Sequence, residues 1–272
     1  MKKIVLSSCL VFATLLSANS DLKPFENLKG SLNIAGGTAH IASQKEAMKD
    51  IMQKYPQINM TIAGGGTGVG IKQVTDGLVD IANAGRAPKQ DEIQRGNLQS
   101  FVFAVDGIAV IVNNSLDLSN LTTKQLQDIF SGKVTNFKDL GINGGKINLY
   151  VRDASSGTME VFVNEGVKKE VISQDAKVVA SNAAMKTAIF SDKNGIGFIS
   201  FGTVDSSVKA LCIDNKCPSD ETILSNEYHI SRGLYMVTKG EPKPLAKAFI
   251  DYMKSDSGAK ITKKLGLIPY QK

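Results

Sequence analysis

The run Leu149 to Phe162 reads L-Y-V-R-D-A-S-S-G-T-M-E-V-F, an apolar strand that passes through Arg152 into Ser155, Ser156, Gly157 and Thr158 and then into a helix. These residue types at this spacing outline an anion site. A guanidinium is a planar fork of donors with permanent charge, and hydroxyls beside the unpaired N–H groups of a helix start can surround an oxyanion. Two further loops carry similar chemistry: Gly36-Gly37-Thr38-Ala39, and Gly64 to Gly70 with Thr67. Glycines let the backbone approach a ligand closely, and threonine adds a hydroxyl donor. Singly, each loop is an ordinary turn with an N-cap; their repetition between strand and helix favours a shared ligand.

The elements that position these loops follow from hydrophobic periodicity. Ser31 to Ala35 reads as a strand, followed by a helix with Ile41, Met48, Ile51, Met52 and Tyr55 on one face. Asn59 to Ala63 is a second strand, Ile71 to Gly77 a short helix and Val79 to Ala82 a third strand. The long apolar run Phe101 to Val112, with Asp106-Gly107 inside it, suits a strand that leaves one domain for another. A helix over Leu121 to Phe130, capped by Thr122 or Thr123, precedes a second alternating unit. That unit is built from helix Met159 to Gly166, strand Ala176 to Ala180, helix Asn182 to Phe190 and strand Gly197 to Phe201. Tyr228 to Thr238 reads as the return crossing, and two helices follow from Pro244. The fold class is α/β, with two lobes, two crossover segments and a ligand cleft between the lobes. The expected division is lobe 1 over residues 21–105 and 233–272, and lobe 2 over 106–232.

Lys2 and Lys3 precede an apolar run, Ile4 to Leu16, that ends in small residues, so residues 1–20 read as a cleaved export signal. The run is too short to span a bilayer. Cys9 has too few apolar residues before it for a lipidation signal, which leaves Cys212 and Cys217 for a disulfide in an oxidising compartment. Neither His40 nor His229 stands at a ligand spacing from them, so no metal site is expected. Removing Lys2 and Lys3 lowers the net charge from +6 to +4, and the remaining charges are scattered, which argues against nucleic acid. Trp is absent, disfavouring an aromatic sugar or nucleobase site.

Nucleotide motifs fail on inspection. No glycines fall at G-x-G-x-x-G, and a Walker pattern begun at Gly65 reaches Gly70 but meets Ile71 where lysine is needed. G-x-S-x-G is also missing, leaving only His40 or His229 as a base for Ser155 or Ser156.

With these motifs in order, the whole mature chain resembles the phosphate-binding proteins of ABC-type phosphate importers, the PstS family, which have the type II periplasmic-binding-protein fold. The likeness is carried by Gly36 to Ala39, the Thr67 loop, V-D-I-A-N-A-G-R-A-P from Val79 and D-G-I-A-V-I-V-N from Asp106. It continues through Arg152 with Ser156, Gly157 and Thr158, N-G-I-G-F-I from Asn194 and the G-L-I-P ending. The resemblance implies that Thr38, the Ala39 amide, Thr67, Ser156, Gly157 and Thr158 hydrogen-bond a buried dianion, with Arg152 as main counter-charge and Arg86 as a further contact. It also implies an exported, periplasmic, monomeric carrier of inorganic phosphate that docks on an inner-membrane ABC permease and needs no cofactor. Gly37, Ala39 and Gly85 stand where the family commonly has larger or hydroxyl-bearing residues, so the pocket lacks some side-chain donors. The alternatives are a carrier of another oxyanion (sulfate, molybdate or tungstate) or of a phosphorylated metabolite, an exported hydrolase using Ser156, and an adhesin or sensor on the same fold. Asp153 could orient Arg152 or be a turn residue; Asp80, Asp106, His40 and His229 read as structural.

Overall fold

The computed structural model describes residues 20–270, so the expected export signal lies, Ser20 apart, outside the described residues. The chain opens with β1 (Gly30–Gly36), α1 (Ile41–Lys54), β2 (Ile58–Ala63), α2 (Thr67–Thr75), β3 (Ile81–Ala84) and α3 (Gln90–Gly96). β1 lies between β2 and β3 and is parallel to both, so the loops leaving all three strands emerge at one edge. α2 begins four residues before the expected Ile71, because Gly68 and Gly70 are helical. A Cβ on Gly70 would stand 2.8 Å from the Ala35 carbonyl oxygen, so glycine here lets the helix lie directly on β1.

β4 (Leu98–Asn113) is the first crossing. Its early part pairs with the return strand, and its later part, Ile108 to Val112, pairs antiparallel with a strand of the second unit. That unit comprises β5 (Asn120–Leu121), α4 (Thr123–Phe130), β6 (Asn148–Arg152), α5 (Gly157–Val161) and β7 (Lys177–Val179). It continues with α6 (Asn182–Ser191), β8 (Gly195–Ser200), β9 (Val208–Ala210), β10 (Cys212–Ile213) and α7 (Asp220–Leu224). Thr122, not Thr123, caps α4, accepting the Gln125 N–H at 3.1 Å while Gln125 accepts the Thr122 N–H. The expected helix from Met159 starts at Gly157 and widens into a π turn over Phe162–Gly166. β11 (Ser231–Lys239) is the return crossing, later than the expected Tyr228, so His229 precedes the strand. α8 (Pro244–Lys254), α9 (Asp256–Lys264) and β12 (Ile268–Pro269) complete the chain.

One sheet runs β2-β1-β3-β11-β4-β8-β6-β7, so the two crossings lie side by side at its centre. Two cores flank that centre. The first packs Phe25, Ile34, Ile51, Phe103 and, from the returning tail, Phe249 and Met253. The second packs Ile108, Phe130, Phe162, Phe198 and Ile230, with the Phe162 and Phe198 rings stacked at 3.9 Å between centroids. The tail helices thus bind the chain's end to its beginning. Cys212 and Cys217 are disulfide-bonded.

Candidate functional site

The carboxyl ends of β1, β2 and β3 face that of β6 across a small cavity, as expected for a ligand site in an α/β fold. Thr38, Ala39, Thr67 and Gly85 line it from the first unit; Arg152, Ser156, Gly157 and Thr158 line it from the second. Seven of the eight ligand residues expected from the sequence therefore meet at one place. Thr67, Ser156 and Thr158 are almost wholly buried. The two units touch across the cavity mouth: the Gly68 N–H donates to the Ser155 carbonyl at 2.8 Å, and the Ser155 hydroxyl donates to the Gly65 carbonyl at 2.9 Å.

The hydroxyls are oriented by what they accept. Thr67 Oγ1 accepts the Gly85 N–H at 2.9 Å, Ser156 Oγ caps α5 by accepting the Met159 N–H at 3.3 Å, and Thr38 Oγ1 accepts the Asn182 N–H at 3.4 Å. With a lone pair engaged in this way, each O–H is available to donate towards the cavity. The leading N–H groups of the helices that begin at Thr67 and Gly157 have no intrahelical acceptor, and those not already given to the Ser155 carbonyl and Ser156 Oγ add donors at the same wall.

Arg152 is 2% exposed at the end of β6. Its Nε donates to the Val179 carbonyl at 3.0 Å and its Nη2 to the Ala180 carbonyl at 2.9 Å, which clamps the guanidinium by backbone and leaves Nη1 for a ligand. Burial holds its pKa below the usual arginine value and the Arg232 charge adds to this, with Asp153 opposing. Asp153 does not orient Arg152. Its carboxylate accepts the N–H and O–H of Ser155, a turn of the kind aspartate commonly makes.

Sequence reasoning missed Arg232. It lies on β11 directly opposite Asp106 on β4, and its Nε and Nη2 both donate to Asp106 Oδ2, at 3.0 and 2.8 Å. Asp106 Oδ1 accepts the Ser200 hydroxyl at 2.8 Å, so both oxygens of this buried carboxylate have structural partners. Arg232 Nη1 donates to Thr158 Oγ1 at 2.8 Å and reaches the cavity wall. It also explains Gly85, since a Cβ there would stand 2.6 Å from Nη1. The guanidinium occupies the space that a side chain at position 85 would fill. Gly85→Ser should therefore displace Arg232 and weaken anion binding by about fivefold or more, because overpacking costs about 1–3 kcal/mol; calorimetric titration checks it. The only local signal for Arg232 was a cation at the crossover, within a segment that read as a strand.

Arg86 is the expectation that the structure corrects. Its Nη1 and Nη2 donate to Glu92 at 2.7 and 2.8 Å and its Nε donates to Glu160 on α5 at 2.6 Å, so it does not line the cavity. The two carboxylates hold it as a tie between the units. His40 is wholly buried beside the cavity, with Nε2 3.2 Å from the Tyr235 carbonyl and its ring against Phe103. Burial and the Arg232 charge push its pKa down to about 3, so it is neutral at ordinary pH.

The PBP superfamily domain model matches residues 26–257. The phosphate-binding protein PstS of Bacillus subtilis (strain 168) is 34% identical over 257 residues, covering 93% of this chain and 85% of the relative. Among solved structures, an ABC transporter substrate-binding protein of Clostridium perfringens with bound phosphate aligns with a TM-score of 0.84 at 32% identity, covering 89% of this chain and all of the other. An ABC-type phosphate transport receptor from Vibrio cholerae aligns with a TM-score of 0.71 at 33% identity, covering 87% of this chain and 99% of that one. No described helix is long and apolar enough to cross a membrane. The two-lobed fold, the cavity between the lobes and these matches have one conclusion: the chain belongs to the PstS family of phosphate-binding proteins, within the PBP superfamily.

Proposed function

We propose that this protein is an exported, monomeric, periplasmic carrier that captures inorganic phosphate between its lobes and delivers it to an ABC permease. The observation that carries this reading is the cavity itself, where two buried guanidiniums and four hydroxyls converge with no apolar wall suited to an organic group. Its ligands are Thr38, the Ala39 amide, Thr67, Ser156, Gly157 and Thr158, with Arg152 and Arg232 as counter-charges. Lobe 1 comprises residues 21–105 and 233–272 and lobe 2 residues 106–232, and they open about Val105 to Gly107 and Ser231 to Gly233, where both crossings pass. A carrier, not a hydrolase, is favoured because Ser156 Oγ is committed as a helix cap and makes no hydrogen bond to an imidazole.

Titration of the chain from residue 21 onwards with phosphate is expected to give a 1:1 metal-independent complex. At free phosphate one hundred times Kd, the unfolding free energy should rise by about 2.7 kcal/mol, visible as an upward thermal shift. Turnover of a chromogenic phosphate ester that disappears in Ser156→Ala would defeat the carrier reading.

A further inference from the structure

Among the described residues, no carboxylate lines this cavity. Asp106 is behind Arg232, with Oδ2 bonded to the guanidinium and Oδ1 to Ser200, and Asp153, whose Oδ1 accepts both bonds from Ser155, is not among the lining residues. The hydroxyls of Thr67, Ser156, Thr38 and Thr158 each already accept one bond, from the Gly85, Met159 and Asn182 N–H groups and from Arg232 Nη1. The carbonyls nearest Arg152, those of Val179 and Ala180, are taken by it. Donors therefore outnumber acceptors around the ligand, and the acceptors that remain, the second lone pairs of neutral hydroxyls and His40 Nδ1, include no carboxylate. A carboxylate in such a pocket would accept the proton of hydrogen phosphate and repel a ligand that has none. Here Arg232, in the space left by Gly85, supplies a second positive charge in its place.

We propose that Arg232, in a cavity with no carboxylate in its lining, makes this pocket recognise phosphate by charge rather than by its proton: the dianion binds in preference to the monoanion, and sulfate competes. This rests on the phosphate-carrier reading and deepens it. Two fixed cations favour a double negative charge, and each additional proton on the ligand both removes charge and places a donor against donors. The charged or titratable groups around the cavity are Arg152 from β6, Arg232 from β11, Asp106 from β4, Asp153 from the loop after β6, and His40 after β1. Asp106 is held by Arg232 through two hydrogen bonds to Oδ2. His40 has an unpartnered Nδ1, but the Nδ1–Cε1 edge packs against Gly37, 3.1 Å from where a Cβ of that residue would stand.

Calorimetric titration of the chain from residue 21 onwards with inorganic phosphate and with sodium sulfate, at pH 5.5, 6.5, 7.5 and 8.5, tests this. Phosphate affinity should rise with pH and level off above the second ionisation of phosphate, changing about tenfold per unit well below it, as one-proton linkage requires. Sulfate, a dianion throughout, should displace phosphate with an affinity that does not vary with pH and lies within about tenfold of phosphate at pH 8.5. Phosphate affinity flat across the range, or sulfate failing to compete, would overturn the proposal by revealing an acceptor, with His40 Nδ1 the first to test through His40→Phe. Sulfate affinity that varies with pH would overturn it by locating the titration in the protein. Absence of phosphate binding at every pH would instead remove the carrier reading on which the proposal stands.

Discussion

Arg152→Ala is expected to lower phosphate affinity by about two to four orders of magnitude, because losing one member of a buried hydrogen-bonded charge pair costs about 3–5 kcal/mol. The loss should not come from unfolding. Without a bound anion the Arg152 guanidinium is held below its usual pKa by desolvation, with Asp153 opposing and the like charge of Arg232 adding, so its charge is not what holds the fold together. Calorimetric titration and urea unfolding together separate the two effects: affinity should fall while unliganded stability is retained. Arg152→Lys should recover only part of the binding. An ammonium keeps the charge but lacks the planar fork that donates to Val179 and Ala180 while leaving Nη1 for the ligand. Undiminished affinity in Arg152→Ala would place the anion elsewhere.

Arg232→Ala should lower both affinity and stability. The Arg232 and Asp106 side chains are 3% and 0% exposed, so truncating the arginine leaves a buried carboxylate without its partner. Breaking such a pair costs about 3–5 kcal/mol of folding free energy, whereas replacing both partners with apolar groups of similar volume is often neutral. Urea denaturation should show the large loss for Arg232→Ala and substantial recovery for Arg232→Met combined with Asp106→Leu. Phosphate affinity should not recover in the double variant. That divergence is the test, because a residue acting only through the fold would regain binding together with stability.

Much of the site was legible in short segments. The backbone of an anion loop is a local property: a strand end, a glycine or small residue that permits close approach, a hydroxyl at a helix start. Thr38, Thr67 and Arg152 to Thr158 show it within a few residues each. Their convergence followed from strand and helix alternation, since parallel strands bring successive loops to one edge. The start of α2 was less legible because it holds two poor helix residues, Gly70, which lets the helix approach β1 closely, and Gly68, which faces Ser155 across the cavity mouth.

Arg86 and Arg232 show where local reading ends. Each is a lone arginine near a strand end, and residue type does not distinguish them. Arg86 is diverted by Glu92, six residues along, and by Glu160, 74 residues along. Arg232 is turned inward because the register of β11 on β4 places it opposite Asp106, 126 residues away in the chain.

By itself the amino-acid sequence determined the α/β alternation, the two crossings and the loops rich in hydrogen-bond donors, since these depend on periodicity and turn chemistry over a few residues. Only the tertiary structure decided which cations face the ligand and which acceptors remain to meet it. Those outcomes depend on strand register and on competition among charges far apart in the chain, where the guanidinium goes to whichever carboxylate the fold brings within hydrogen-bonding distance.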